Sequence, residues 1–250
     1  MSAAIVAIAL ICEFIDSYLG MMYGTILSPV LILLGYDPKL LIPAILLSQA
    51  LGGGIASLRH NKLKNARVFD PKGINMKIAS MVGSLGVIAT IIGAFVGASI
   101  IPKIFLKNYI GVLCIGMGLF VLSKKKFKFN WEKITALSLL GGFNKAMSGG
   151  GFGPIMSSGQ IVSGRGPKDS IVTTDFAEVP ICLTGFAVWI FINGWPKGNL
   201  IFLLSAGAMI GGYLGPIALN KFRDRKKLTT TVGILTFILG AATVFFGIKT

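Results

Sequence analysis

An all-α polytopic membrane protein of two inverted repeats is the fold expected of this chain. Each repeat would be a re-entrant or broken helical hairpin followed by three transmembrane helices. Three observations lead there. First, 54% of the 250 residues are hydrophobic and 13% charged, with mean hydropathy +0.79; soluble domains carry about 25% charged residues. Second, uncharged stretches such as Ile78 to Ile101 and Leu200 to Leu219 are long enough to cross a hydrocarbon layer about 30 Å thick. Third, the two halves resemble each other at a fixed offset.

The apolar spans run 3–17, 21–35, 40–58, 78–101, 104–123, 134–147, 151–163, 169–193, 199–219 and 229–248. The first two and the sixth and seventh are each about 13 to 15 residues, near 20 Å of helix, which is short of a crossing. A Gly-rich tip joins each short pair: Leu19-Gly20-Met21-Met22-Tyr23-Gly24 and Ser148-Gly149-Gly150-Gly151-Phe152-Gly153-Pro154. Segments 3–35 and 134–163 therefore read as hairpins that enter the membrane and return.

Charge sets the orientation. The stretches Arg59 to Lys77, Lys124 to Lys133 and Lys221 to Lys227 are strongly basic, whereas 101–108 and 193–199 are lightly so. Placing the basic loops in the cytoplasm puts eighteen basic residues inside and five outside, with both termini outside. The first repeat then covers 1–123, with helices 40–58, 78–101 and 104–123. A basic cytoplasmic linker follows at 124–133. The second repeat covers 134–250, with helices 169–193, 199–219 and 229–248.

Sliding the chain by 129 residues pairs Gly20 with Gly149, Gly24 with Gly153, Ser28 with Ser157, Pro38-Lys39 with Pro167-Lys168 and Gln49 with Glu178. A second block pairs Ile92 to Gly97 with Ile210 to Gly215 at an offset of 118. A hairpin plus three crossings is an odd number, so the halves must point oppositely. Inverted repeats are an architecture of secondary transporters, with the substrate site near the bilayer midplane.

These features exclude several classes. The net charge of +15 sits in loops between apolar spans, so nucleic acid is not an expected partner. Cys12, Cys114 and Cys182 fit no metal or disulfide pattern, and His60 is the one histidine. No metal site, cofactor or enzymatic activity is expected. The N-terminus has no basic residue before Lys39, unlike a cleaved signal peptide.

The tips are the candidate binding elements. A helix starting just after Gly24 or Gly153 points N–H groups and a positive dipole end at the membrane centre, which suits an anion. Thr25, Ser28, Ser157 and Ser158 add hydroxyl donors. Asn144 and Lys145 stand just before the second tip, and a lysine at that depth needs a partner or an anion. Asp175 and Glu178 share a helix face, and Glu178 lies near mid-depth, so both are candidates to carry a coupled proton. Glu13 and Asp16 share a face in the first hairpin, where water could reach them at its mouth.

Two related halves, each opening on a Gly-rich hairpin, with Gly142-Phe143, Ser148 to Pro154 and Gly164-x-x-Pro167, resemble the TauE/SafE sulfite exporter family. The resemblance implies transport of sulfite, sulfonates or related small organic anions, with the two tips forming the pathway. By position it points to Tyr23, Gly24 and Thr25, to Ser148, Gly149, Gly150, Gly151 and Gly153, and to Gln49 and Glu178. The expected partners are a small anion, coupled protons and the bilayer. The expected setting is the cytoplasmic membrane. An anion channel and a membrane subunit of a larger permease are the alternatives.

Overall fold

In the computed structural model, residues 2–123, 130–162, 165–221 and 226–246 are described, and their secondary structure is wholly helical. Ten α-helices follow in order: α1 (Ser2–Leu19), α2 (Tyr23–Leu33), α3 (Pro38–Lys62), α4 (Ile74–Phe95), α5 (Lys103–Leu122), α6 (Trp131–Ser148), α7 (Phe152–Val162), α8 (Pro167–Asn193), α9 (Leu200–Lys221) and α10 (Lys226–Phe246). A π-helical turn, Val96–Ile100, extends α4. Seven of the helical segments are long and apolar enough to cross a membrane. Most of the linker 124–133 lies outside the described residues.

Local chemistry explains the ends. Asp37 caps α3 by accepting from the Lys39 N–H at 3.0 Å, with Pro38 at the first helical position. Asn130 caps α6 by accepting from the Glu132 N–H at 2.9 Å, so α6 starts three residues before the apolar span at 134. Gly149, at φ 77°, closes α6 in the left-handed conformation that glycine tolerates.

Two helices differ from the hydropathy reading. α1 has 18 residues and is itself long enough to cross, rather than a half-length arm. Glu13, Asp16 and Ser17 do not end it, because their side chains are buried against the protein. α3 continues past 58 to Lys62, because His60 is fully buried and extends the helix's inward face.

Helix pairs meet at glycines. A Cβ on Gly207 would lie 2.4 Å from the Val6 carbonyl oxygen, and on Gly211 2.5 Å from that of Leu10. Small residues let helix backbones approach this closely in lipid. Contact order also gives direction. Gly207 meets Val6, Gly211 meets Leu10 and Gly215 meets Phe14, so α1 and α9 are parallel. Gly86 meets Gly142 and Gly97 meets Met147, so α4 and α6 are parallel. Leu46 touches Gly185 while Gly53 lies beside Asp175 and Val179, so α3 and α8 are antiparallel. Gly111 faces Val244 and Gly118 faces Gly233, so α5 and α10 are antiparallel too.

The bundle has two chemically distinct ends. At one, Arg165 Nη2 donates to Asn75, Asn75 Nδ2 donates to Asp169 at 2.7 Å and Lys168 Nζ to Asn220 at 3.2 Å. The Arg59–Lys77 stretch and Lys221 belong to this end. Partial burial lowers the Arg165 guanidinium from its ordinary pKa, and Asp169 acts against that. At the other end Lys39 Nζ donates to the Ala98 carbonyl at 3.1 Å and Lys103 pairs with Asp37. Ser2, Tyr36, Lys197 and Asn199 line one recess there. Large apolar side chains such as Phe191, Phe202 and Phe245 are exposed around the sides, as lipid-facing residues are.

Candidate functional site

The two Gly-rich tips meet. α1 ends at Gly20 (φ 75°), and Met22 takes φ 148° to turn the chain into α2. α6 ends at Gly149, and Gly151 (φ 86°) turns the chain into α7. A Cβ on Gly24 would lie 1.6 Å from the Gly149 carbonyl oxygen, so only glycine permits this approach. On Gly153 a Cβ would lie 2.7 Å from the Gly20 carbonyl oxygen.

Polar groups stitch the tips together. Ser28 Oγ donates to the Ser148 carbonyl at 2.8 Å, and the Gly151 N–H donates to Thr25 Oγ1 at 3.3 Å. The Gly150 N–H donates to Ser148 Oγ at 3.1 Å. Asn144 Oδ1 accepts from the Tyr109 hydroxyl. Ser157 lies against Gly20, and its hydroxyl has no hydrogen-bond partner among the described residues.

Beside the tips runs a buried polar chain. The Tyr23 N–H, at the start of α2, donates to Asp16 Oδ1 at 3.0 Å. Gln49 Nε2 donates to Asp16 Oδ2 at 3.1 Å. Lys145 Nζ donates to Gln49 Oε1 and lies 2.8 Å from Glu178 Oε1. An ammonium can only donate, so it selects the oxygen of Gln49 and turns the amide nitrogen to Asp16. Lys145 is 1% exposed, and among the described residues no other lysine or arginine is buried. The Tyr23 hydroxyl donates to Ser48 Oγ at 2.6 Å.

The structure thus gathers Tyr23, Gln49, Lys145 and Glu178 into one chain, and Thr25, Ser28, Ser148 and the tip glycines around it. Asp175 turns elsewhere. Its Oδ2 is 3.3 Å from His60 Nε2, which also lies 3.1 Å from the Ser17 carbonyl oxygen. Asn65 Nδ2 is 2.9 Å from His60 Nδ1 and donates to the Pro216 carbonyl at 2.9 Å. An amide NH2 can only donate, so Nδ1 accepts and Nε2 carries the ring proton.

Sequence reasoning missed three residues here: Asp16 as a chain member, Ser48, and His60 as a buried link. The signal for Asp16 was present. The 129-residue offset that aligns the tip glycines also aligns Asp16 with Lys145. It aligns His60 with Trp189 too, whose Nε1 donates to the Ala146 carbonyl at 2.8 Å, as His60 meets Ser17.

Apolar helices around a buried, hydrogen-bonded polar centre define a multi-pass membrane protein of transporter type. A family model described as "Sulfite exporter TauE/SafE" matches residues 5–243, and the chain belongs to that family. It is also similar to the probable membrane transporter protein YtnM of Bacillus subtilis (strain 168). That likeness is 26% identity over 255 residues, covering 95% of this chain and 80% of the relative. No solved structure matches. The protein is a membrane transporter.

Proposed function

We propose that this protein carries a small anion of the sulfite or sulfonate class across the cytoplasmic membrane by alternating access. Export is the direction suggested by the family's description. The observation that carries the reading is Lys145. A lysine this deep and this buried is costly unless it meets negative charge; Glu178, 2.8 Å away, supplies it in the closed form, and an anion can take that place.

The halves 1–123 and 134–250 act as inverted repeats in this reading. The antiparallel pairs α3 with α8 and α5 with α10 support it, as does the exchange of partners by which α1 packs on α9 and α6 on α4. The basic end faces the cytoplasm by the positive-inside rule, with both termini outside. Closed tips fit an occluded stage. Rocking of one repeat against the other would open the tips first to one side, then to the other. The substrate would touch Tyr23, Thr25, Ser28, Gln49, Asn144, Lys145, Ser148 and Ser157 and the backbone of Gly24, Gly149, Gly150, Gly151 and Gly153. Asp175 and Glu178 are the proton-coupling candidates.

The test is flux of isotopically labelled sulfite and of a simple sulfonate into proteoliposomes holding the purified protein. Saturable flux that Gly150→Leu abolishes supports the reading. Absence of flux for both anions, or full flux in Gly150→Leu, removes it.

A further inference from the structure

The groups suited to hold an anion are already occupied by the chain's own carboxyls. The Tyr23 N–H and the Gln49 amide both donate to Asp16. The Lys145 ammonium is bound to Glu178, 2.8 Å away, and to Gln49. The 129-residue offset makes this arrangement regular, since Asp16 is equivalent to Lys145 and Gln49 to Glu178. Asp16 and Lys145 each stand four residues before the glycine that opens a tip. One position carries a carboxyl that caps α2. The other carries a cation just ahead of α7.

The charge count is unbalanced. Glu13, Asp16, Asp175 and Glu178 are all buried, facing one lysine, with His60 beside Asp175. Glu13 Oε2 has no hydrogen-bond partner among the described residues. Carboxylates in excess of cations are expensive away from water. A further anion entering the same place would add to that cost unless positive charge came with it.

We propose that Asp16 and Glu178 hold the place of the transported anion in this closed form, and that the anion enters the Tyr23–Gln49–Lys145 donor set as carboxyls there take up protons, one for each negative charge bound. This rests on the anion-transport reading above. In the step itself, a proton from water on the open side binds a Glu178 carboxylate oxygen and the contact with Lys145 breaks. An oxygen of the anion takes the vacated place on Nζ. The net charge of the buried centre is unchanged. Asp16 gives way in the same manner at the Tyr23 N–H when a second negative charge is bound. The pair determines what moves with the anion; the direction follows the combined gradients.

Other titratable groups face these two. Around Asp16 they are Cys12 and Glu13 on α1, Tyr23 on α2, Lys145 on α6, and Asp175 and Glu178 on α8. Around Glu178 they are Lys145 on α6, Glu13 and Asp16 on α1, and Asp175 and Cys182 on its own helix. His60 on α3 reaches this group through Asp175. Only Lys145 among them supplies a full positive charge to Glu178, so a proton is the available replacement.

The probes are labelled methanesulfonate, which carries no proton of its own near neutrality, and sulfite. Proteoliposomes with a trapped pH dye report anion and proton together, and the anion-induced rise in melting temperature reports binding. In the wild type, methanesulfonate affinity should rise with acidity by up to about tenfold per pH unit, as for one linked proton. One proton should enter with each methanesulfonate. Glu178→Gln should bind it with a flat pH profile and no proton movement, and Asp16→Asn should cut the proton linkage of the sulfite dianion from about two protons to about one. Wild-type flux without protons overturns the proposal but leaves anion transport standing. So do variants that keep the wild-type pH profile, including ones that are merely less stable. Neither binding nor flux of either probe in the wild type overturns both readings.

Discussion

Lys145 Nζ lies 2.8 Å from Glu178 Oε1, and the two side chains come from α6 and α8, on either side of the second tip. Each is withdrawn from water, so neither charge is screened by solvent. Removing one partner strands the other, which typically costs about 3–5 kcal/mol, whereas removing both together costs far less. Lys145→Met should therefore lower the melting temperature strongly, and Lys145→Met with Glu178→Gln should recover much of the loss. Additive effects in this cycle would mean that the pair is not coupled.

Tip contact makes a sharp steric prediction. Gly24→Ala places a methyl 1.6 Å from the Gly149 carbonyl oxygen, which is backbone and cannot swing away. Gly54→Ala meets nothing within 4 Å. The first should abolish transport or folding. The second should change stability by no more than about 1 kcal/mol, as for ordinary Gly-to-Ala changes within helices. Unfolding curves of the two variants in the same detergent make the comparison.

His60 joins α1, α3, α8 and the segment after α3 through Ser17, Asp175 and Asn65. His60→Ala takes this partner from the Ser17 carbonyl and the Asp175 carboxyl, while Asn65 keeps its bond to Pro216, at a cost of about 1–3 kcal/mol. Leu58→Ala, two residues away on the exposed face, should cost about 0.5 kcal/mol or less. Equal melting temperatures for the two variants would contradict the His60 geometry.

Membrane orientation is checked by labelling. Gly166 and Lys197 are both exposed and belong to opposite ends of the bundle. In a background without the native cysteines, Gly166→Cys should react only from the cytoplasm and Lys197→Cys only from outside. Reaction of both from one side would remove the inverted arrangement of the halves.

Close packing on α9 gives a last contrast. Gly211→Val would drive its side chain into the Leu10 carbonyl, 2.5 Å from the Cβ position. Phe191→Ala removes a side chain that is 91% exposed. The glycine change should unfold or open the α1–α9 contact, and the larger aromatic truncation should be nearly silent. A thermal scan of both separates packing from hydrophobicity alone.

Much of the helical order was readable from one dimension. Hydropathy located ten helical pieces, and the short pairs joined by glycines marked the two tips, because membrane thickness and backbone hydrogen bonding leave few other solutions. Helix ends were less legible. Asn130 starts α6 early through a cap, and burial of Glu13 and Asp16 lets α1 run on to Leu19. Lys145 and Glu178 stood out as ionisable residues at depth. That they form a pair, that Gln49 relays this pair to Asp16, and that Asp175 turns away to His60 were decided by how α1, α3, α6 and α8 cross. Spacing along a helix tells which residues share a face, but which face meets which depends on contacts between segments far apart in the chain, and here on glycines whose missing side chains let those backbones touch.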